Sequence, residues 1–277
     1  MDWIDALILG IVQGLSEYLP ISSSGHLEIM KQILGLNLDP DASLEFSIML
    51  HVATVLSTVV ILWHEFYPLL KSFLTIQRDD KFFYVCKILL SCIPVGIVGV
   101  CFKEQISALF DGNLTVVGIC LIITAVLLTF AYFTRTREML ADPLKPQGHD
   151  ITWGDAFIIG CAQAIAVLPG LSRSGTTIAT GIILGDNREK VAQFSFLMVI
   201  IPIFGEGLLD LKDMLWPDAL EATASVSIGA VPMIVGFLAS FLVGCAACKW
   251  MLNIVKKGKL VWFAVYCAAA GALCLLW

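Results

Sequence analysis

Glu17, Ser22, Ser23, Ser24, His26 and Arg173 are polar residues set in a chain that is otherwise oily. A carboxylate, hydroxyls and an imidazole can move protons or supply a nucleophile. A guanidinium binds an oxyanion in bidentate fashion. The residues fall in two stretches. The first is Gln13-Gly-Leu-Ser-Glu17-Tyr-Leu-Pro20-Ile-Ser22-Ser23-Ser24-Gly25-His26. The second is Gln163-Ala-Ile-Ala-Val-Leu-Pro169-Gly170-Leu-Ser172-Arg173-Ser174-Gly175-Thr176-Thr177.

Each residue has a plainer reading. Glu17 follows Gln13 by four positions, so the two share a helix face. A carboxylate and an amide on one face can hold a divalent cation or position a water, although a lone Glu near a helix end often only reaches for water. Serines before a helix often serve only as N-caps. Three in a row with His26 one turn on exceed what capping needs, and the start of that helix offers N–H groups to an anion. A serine of this run or His26 could be the nucleophile, with Glu17 or His26 as base. Gly25, Gly170 and Gly175 let backbone approach an oxyanion. Ser172, Ser174, Thr176 and Thr177 surround Arg173 with hydroxyls. The plain reading of Arg173 is a structural ion pair with Glu17 itself, compatible with a resting site. His51, inside an apolar run, reads as a packed or hydrogen-bonded histidine. His64 and His149 read as loop residues, and Glu45 and Glu206 as polar residues near span ends.

The elements that must carry these residues are membrane helices. Hydrophobic residues make up 58% of the 277 and charged ones 14%, against roughly 25% charged in soluble domains. Mean hydropathy is +0.87. The net charge of −6, with no basic, aromatic-interleaved surface, argues against a nucleic-acid partner. No basic leader precedes the first apolar stretch, which carries Asp2 and Asp5. Cys245 and Cys248 form a C-x-x-C without a second pair, so they read as small packing residues.

Six segments read as full spans: about 45–64, 82–102, 114–134, 189–209, 226–248 and 259–277. Two regions break off early. Residues 2–19 stop at Pro20 and resume over 23–35, and residues 153–168 stop at Pro169-Gly170 and resume over 173–184. These predict re-entrant helix hairpins, since irregular backbone at membrane depth survives only where protein or a wet cavity surrounds it.

The two regions are copies. Shifted by 150 residues, Trp3, Asp5, Ala6, Ile8, Gly10, Gln13, Ser22, Ser24 and Gly25 fall on Trp153, Asp155, Ala156, Ile158, Gly160, Gln163, Ser172, Ser174 and Gly175. Glu45-Phe46-Ser47 similarly resembles Gln193-Phe194-Ser195. The expectation is a single all-α polytopic membrane domain, 1–277, of six transmembrane helices plus two re-entrant hairpins. Its repeats cover about 1–134 and 151–277. Three spans per half invert the second copy, and broken helices in matching places of inverted halves point to a midplane site. With this topology thirteen Lys and Arg fall on one side and three (Lys31, Lys103 and Lys212) on the other. The richer side is cytoplasmic, so both termini face outward.

The two motifs resemble those of the bacterial undecaprenyl-diphosphate phosphatases of the bacitracin-resistance type. Gln-x-x-x-Glu17, Pro-x-Ser-Ser-Ser-Gly-His and Pro-Gly-x-Ser-Arg-Ser-Gly-x-Thr carry the resemblance, over the whole chain. It implies hydrolysis of the C55 isoprenyl diphosphate to the monophosphate in the bacterial inner membrane, recycling a peptidoglycan carrier, with Mg²⁺ or Ca²⁺. It implies metal or acid–base work at Gln13 and Glu17, a nucleophile at Ser23 or His26, and diphosphate binding at Arg173. The hydroxyls and glycines listed above would line the substrate site. The family's first motif position is Glu or Gln. Gln13 leaves one anionic ligand fewer. Partners implied are the polyprenyl diphosphate and membrane lipids, with a homodimer left open. A lipid-phosphate transporter on the same inverted scaffold is the alternative.

Overall fold

The structure is a computed structural model and describes residues 1–36, 38–102, 114–141, 148–205 and 228–277. Glu206, Lys103, Lys145 and Lys212, which entered the expectations above, lie outside the described residues.

Eleven helices are named among the described residues: α1 Trp3–Ser16, α2 Ser23–Ile33, α3 Pro40–Ile61, α4 Trp63–Leu74, α5 Asp80–Cys101, α6 Leu114–Ala141, α7 Trp153–Ile165, α8 Arg173–Leu184, α9 Arg188–Met198, α10 Ala230–Lys256 and α11 Val261–Leu276. Three stretches are long and apolar enough to cross a bilayer: Asp80–Cys101, Leu114–Thr134 and Ala230–Lys256. A fourth is the pair α3 and α4, bent by 90° at Leu62. Among the described residues the chain is thus all-helical, with several apolar helices of membrane-spanning length. It is a multi-pass membrane protein.

Both predicted breaks are present. α1 has 14 residues and α7 has 13. At 1.5 Å per residue each is about 20 Å long, short of a hydrocarbon core of about 30 Å. Their starts are built alike. Asp2 and Asp5 form a capping box on α1, and Thr152 and Asp155 form one on α7.

The expected span over 189–209 is divided. α9 ends at Met198, with Val199 as its C-cap, and helix resumes at Ile200. Pro202 has no N–H to give the Met198 carbonyl. The Cys92 thiol donates to that carbonyl instead, at 3.5 Å. The segment from 259 is also shorter than expected, with α11 of 16 residues.

α1 packs on α10, and α7 packs on α5. Glycine makes both contacts close. A Cβ added at Gly10 would sit 2.5 Å from the Gly236 carbonyl oxygen. One added at Gly160, 150 positions later, would sit 2.4 Å from the Ser91 carbonyl oxygen. α6 and α11 cross through Gly118 and Gly271, each against the other's carbonyl. With little hydrophobic drive between helices in lipid, such small residues permit the van der Waals contact that holds them together.

At the link between α8 and α9, the His149 and Asp186 backbones pair in an isolated bridge. The Asp186 side chain is fully buried. Burial pushes its carboxyl up to about 7, and the charge of Asp155 adds to the rise. A hydrogen bond to the Asp150 carbonyl raises His149 above its ordinary value.

Candidate active site

The tips of the two broken elements meet. A Cβ on Gly25 would lie 3.1 Å from Gly170 Cα, and one on Gly175 would lie 3.1 Å from Pro20 Cβ. Ser174 Oγ donates to the Leu19 carbonyl at 3.2 Å. Gly170 has φ +90°, and its Cα faces the Val117 backbone, leaving no room for a side chain.

Each tip is capped in the same way. Ser22 Oγ accepts from the Gly25 N–H at 3.3 Å, and Ser172 Oγ accepts from the Gly175 N–H at 3.1 Å. Ser24 Oγ lies 3.3 Å from Ser22 Oγ, and Ser174 Oγ lies 3.4 Å from Ser172 Oγ. The N-termini of α2 and α8 therefore open at the same junction. Ser22 holds φ +71°, a conformation costing about 1–3 kcal/mol outside glycine.

Glu17 is the hub. Its Oε1 pairs with Arg173 Nη2, joining residues 156 apart in sequence. Its Oε2 accepts from Ser23 Oγ at 2.7 Å and from Gln13 Nε2 at 2.9 Å. His51 Nε2 stands 3.5 Å from the same oxygen. Side chains of α1, α2 and α3 thus converge on one carboxylate oxygen, and the other belongs to the arginine of α8. The resting ion pair considered from sequence is the one present.

Glu17 and Arg173 line a narrow cleft between α3 and the α9 region. Its lining mixes hydroxyls, Thr54, Thr58, Ser174 and Ser195, with apolar side chains, Val55, Phe196, Val199 and Ile203. Tyr18 fixes the first break to α3, its hydroxyl donating to the Thr54 carbonyl at 2.6 Å and lying 2.9 Å from Thr58 Oγ1.

His26 stands apart from this hub. Its Nδ1 faces the Ser22 carbonyl at 2.8 Å, and its Nε2 meets the Tyr266 hydroxyl at 2.7 Å, with the two rings stacked. Both nitrogens are engaged. Thr177 Oγ1 donates to the Arg173 carbonyl at 2.8 Å and lies 2.7 Å from Ser195 Oγ, so it serves the helix start. Thr176 is buried, and its hydroxyl has no hydrogen-bond partner among the described residues.

Sequence reading missed two residues. His51 was set aside as a packing histidine, and it is one: Nδ1 faces the Ser47 carbonyl at 2.7 Å. Its other nitrogen faces Glu17. Tyr266 carried no signal in its apolar run. Glu45 and His64 are exposed, and all nine cysteines, Cys245 and Cys248 among them, are free.

A membrane-embedded helical protein whose two broken elements join carboxylate, hydroxyls and guanidinium in a half-apolar cleft is the class this geometry defines. The chain belongs to the bacitracin resistance protein BacA family, which matches residues 6–273. It is 51% identical to a protein of Bacteroides fragilis named undecaprenyl-diphosphatase, over all of this chain and 98% of that one. It is 53% identical to another of that name from Bacteroides thetaiotaomicron, over 98% of this chain and 97% of that one. A third, from Methanosphaera stadtmanae, is 34% identical over the full length of this chain. These relatives bear the name of a phosphatase, not of a carrier.

Proposed function

We propose that this protein hydrolyses undecaprenyl diphosphate to undecaprenyl phosphate and inorganic phosphate, recycling a lipid carrier for cell-wall synthesis. The observation that carries the reading is the buried Glu17–Arg173 pair with Ser23 hydrogen-bonded to the same carboxylate. Binding an anion needs the arginine. Holding a hydroxyl against a carboxylate base is what cleavage adds. The names of relatives about half identical over the full chain support the same substrate.

In this reading Arg173 leaves Glu17 and takes the diphosphate, aided by the N-termini of α2 and α8 and the hydroxyls of Ser22, Ser24, Ser172 and Ser174. Gly25 and Gly175 keep the backbone close. The isoprenoid tail leaves along Val55, Phe196, Val199 and Ile203. Ser23 Oγ attacks the terminal phosphorus while its proton passes to the Glu17 carboxylate. The bond from that phosphorus to the bridging oxygen breaks, and undecaprenyl phosphate departs with the electron pair. Water then cleaves the phosphoserine and restores the serine. His26 orients the serine turn through the Ser22 carbonyl rather than attacking. Positioning and charge neutralisation supply most of the rate in phosphoryl transfer.

Mg²⁺ or Ca²⁺ suits the residues present. Gln13 Oε1 is buried without a hydrogen-bond partner among the described residues, one turn from the Glu17 carboxylate. Hard cations take such oxygens and complete their shell from substrate phosphate. Gln13 and Glu17 would hold the ion, and it would neutralise charge on the diphosphate.

The same reading gives six spans with two re-entrant hairpins in inverted repeats over about 1–134 and 151–277, within the bacterial inner membrane. The paired contacts of Gly10 with Gly236 and Gly160 with Ser91, and the meeting of the two tips, support it. The charge bias supports outward-facing termini. The test is phosphate release from C55 isoprenyl diphosphate by purified protein, with and without chelator, for wild type and Glu17→Ala. Metal-dependent release lost in the variant is expected. A folded wild type that binds the lipid and releases no phosphate would sink the reading in favour of a carrier.

A further inference from the structure

His51 has a fixed tautomer. Its Nδ1 faces the Ser47 carbonyl at 2.7 Å, and a carbonyl can only accept, so Nδ1 carries the hydrogen. In the neutral ring Nε2 is then a bare lone pair. It points at Glu17 Oε2 across 3.5 Å. That oxygen is itself an acceptor, already receiving Ser23 and Gln13. The gap exceeds the 2.7–2.9 Å or so of a charge-assisted hydrogen bond. It is a separation that two ligands of one divalent cation can span. A third lone pair, on Gln13 Oε1, is buried and unused one helical turn from Glu17.

We propose that His51 Nε2 is a metal ligand beside Glu17, and that it tunes the site toward imidazole-accepting divalent ions such as Mn²⁺ over Ca²⁺. The inference rests on the reading of Glu17 as a metal residue given above. The physical ground for the preference is ligand softness: Ca²⁺ takes oxygen donors, whereas first-row transition ions gain from an imidazole nitrogen. The Nδ1 bond to Ser47 is the outer contact that orients a ligating histidine. An all-oxygen site would have no use for a nitrogen lone pair aimed at its carboxylate.

The experiment is Mn²⁺ binding to purified full-length protein without substrate, followed by electron paramagnetic resonance, with pulsed spectra to detect ¹⁴N coupling from imidazole. Wild type should bind Mn²⁺ and show imidazole coupling. His51→Ala should lose the coupling and bind Mn²⁺ about tenfold more weakly or worse, with Ca²⁺ affinity little changed. His26→Ala and His149→Ala should keep both coupling and affinity. No Mn²⁺ binding by wild type, bound Mn²⁺ without nitrogen coupling, or coupling that follows His26 or His149 instead would overturn the proposal. Folding of each variant is confirmed by its elution profile, and His51→Gln, which keeps bulk and polarity, should also lose the coupling. Phosphate release is assayed separately, so a protein that ligates Mn²⁺ through His51 and yet hydrolyses nothing would refute the enzymatic reading and leave this one standing.

Discussion

Arg173 and Glu17 face each other as an ion pair although 156 residues separate them. Among the described residues, no other Lys, Arg, Asp or Glu side chain pairs with either of them. Each would be expensive to leave alone at membrane depth. The pair therefore does two jobs in turn. It neutralises the resting site, and it opens to deliver a guanidinium to an incoming phosphate. Replacing Arg173 with Lys keeps the charge and loses the fork. The expected result is a drop of about 10²–10³ in kcat/KM for phosphate release, with wild-type-like elution in detergent.

Ser23 and His26 can be separated. Ser23 touches Glu17 and His26 does not. Ser23→Ala should abolish phosphate release to the level of Glu17→Ala. His26→Gln and Tyr266→Phe should each retain measurable turnover. Equal loss in Ser23→Ala and His26→Gln would return His26 to the reacting atoms.

The helix crossing at Gly10 leaves no space for a methyl group, because the obstacle is the Gly236 backbone. Gly10→Ala should force α1 and α10 apart and cost about 1–3 kcal/mol. Thermal unfolding in detergent would read it as a lowered Tm. Gly154→Ala is the control, since its nearest neighbour lies 3.7 Å away, and it should be neutral.

Asp186 gives a pH dependence with a definite sign. Its folded carboxyl titrates at about 7 because burial penalises the charge. The unfolded group titrates near 3.9, so the folded protein holds the extra proton. Stability from this group is fully present below about pH 4 and is lost as pH rises through about 7. His149, raised first by its hydrogen bond to the Asp150 carbonyl and also by neighbouring Asp186, slopes the same way. Wild-type Tm should fall between pH 5.5 and 8.5, and Asp186→Asn should flatten that fall.

The breaks were legible in the sequence because they violate their surroundings. Pro20, Ser22 to Ser24, Pro169 and Gly170 sit where a membrane helix should run on, and polar residues there have few other uses. Glu17 and Arg173 follow from the same contrast. His51 and Tyr266 were not legible, because each lies within an unbroken apolar helix and gains its meaning only when another helix arrives. Ser47 explains the position of the His51 ring locally, and nothing local explains Glu17 beside it. The division at Val199 had a signal in Pro202, but a proline inside an apolar run also suits a kinked span. The Cys92 thiol, from another helix, occupies the freed carbonyl.

The seat of α1 on α10 sets a timetable for the ribosome. Helix α1 rests against residues 230–256, which are synthesised more than 200 residues after it. Until they emerge, Gly10 and Gly14 have no surface to lie on. A nascent chain that already contains Arg173 therefore lacks the wall that holds its carboxylate partner. Hydrolytic competence therefore waits for residues 230–256, and a truncation before residue 230 should yield a product that enters the membrane and stays inert.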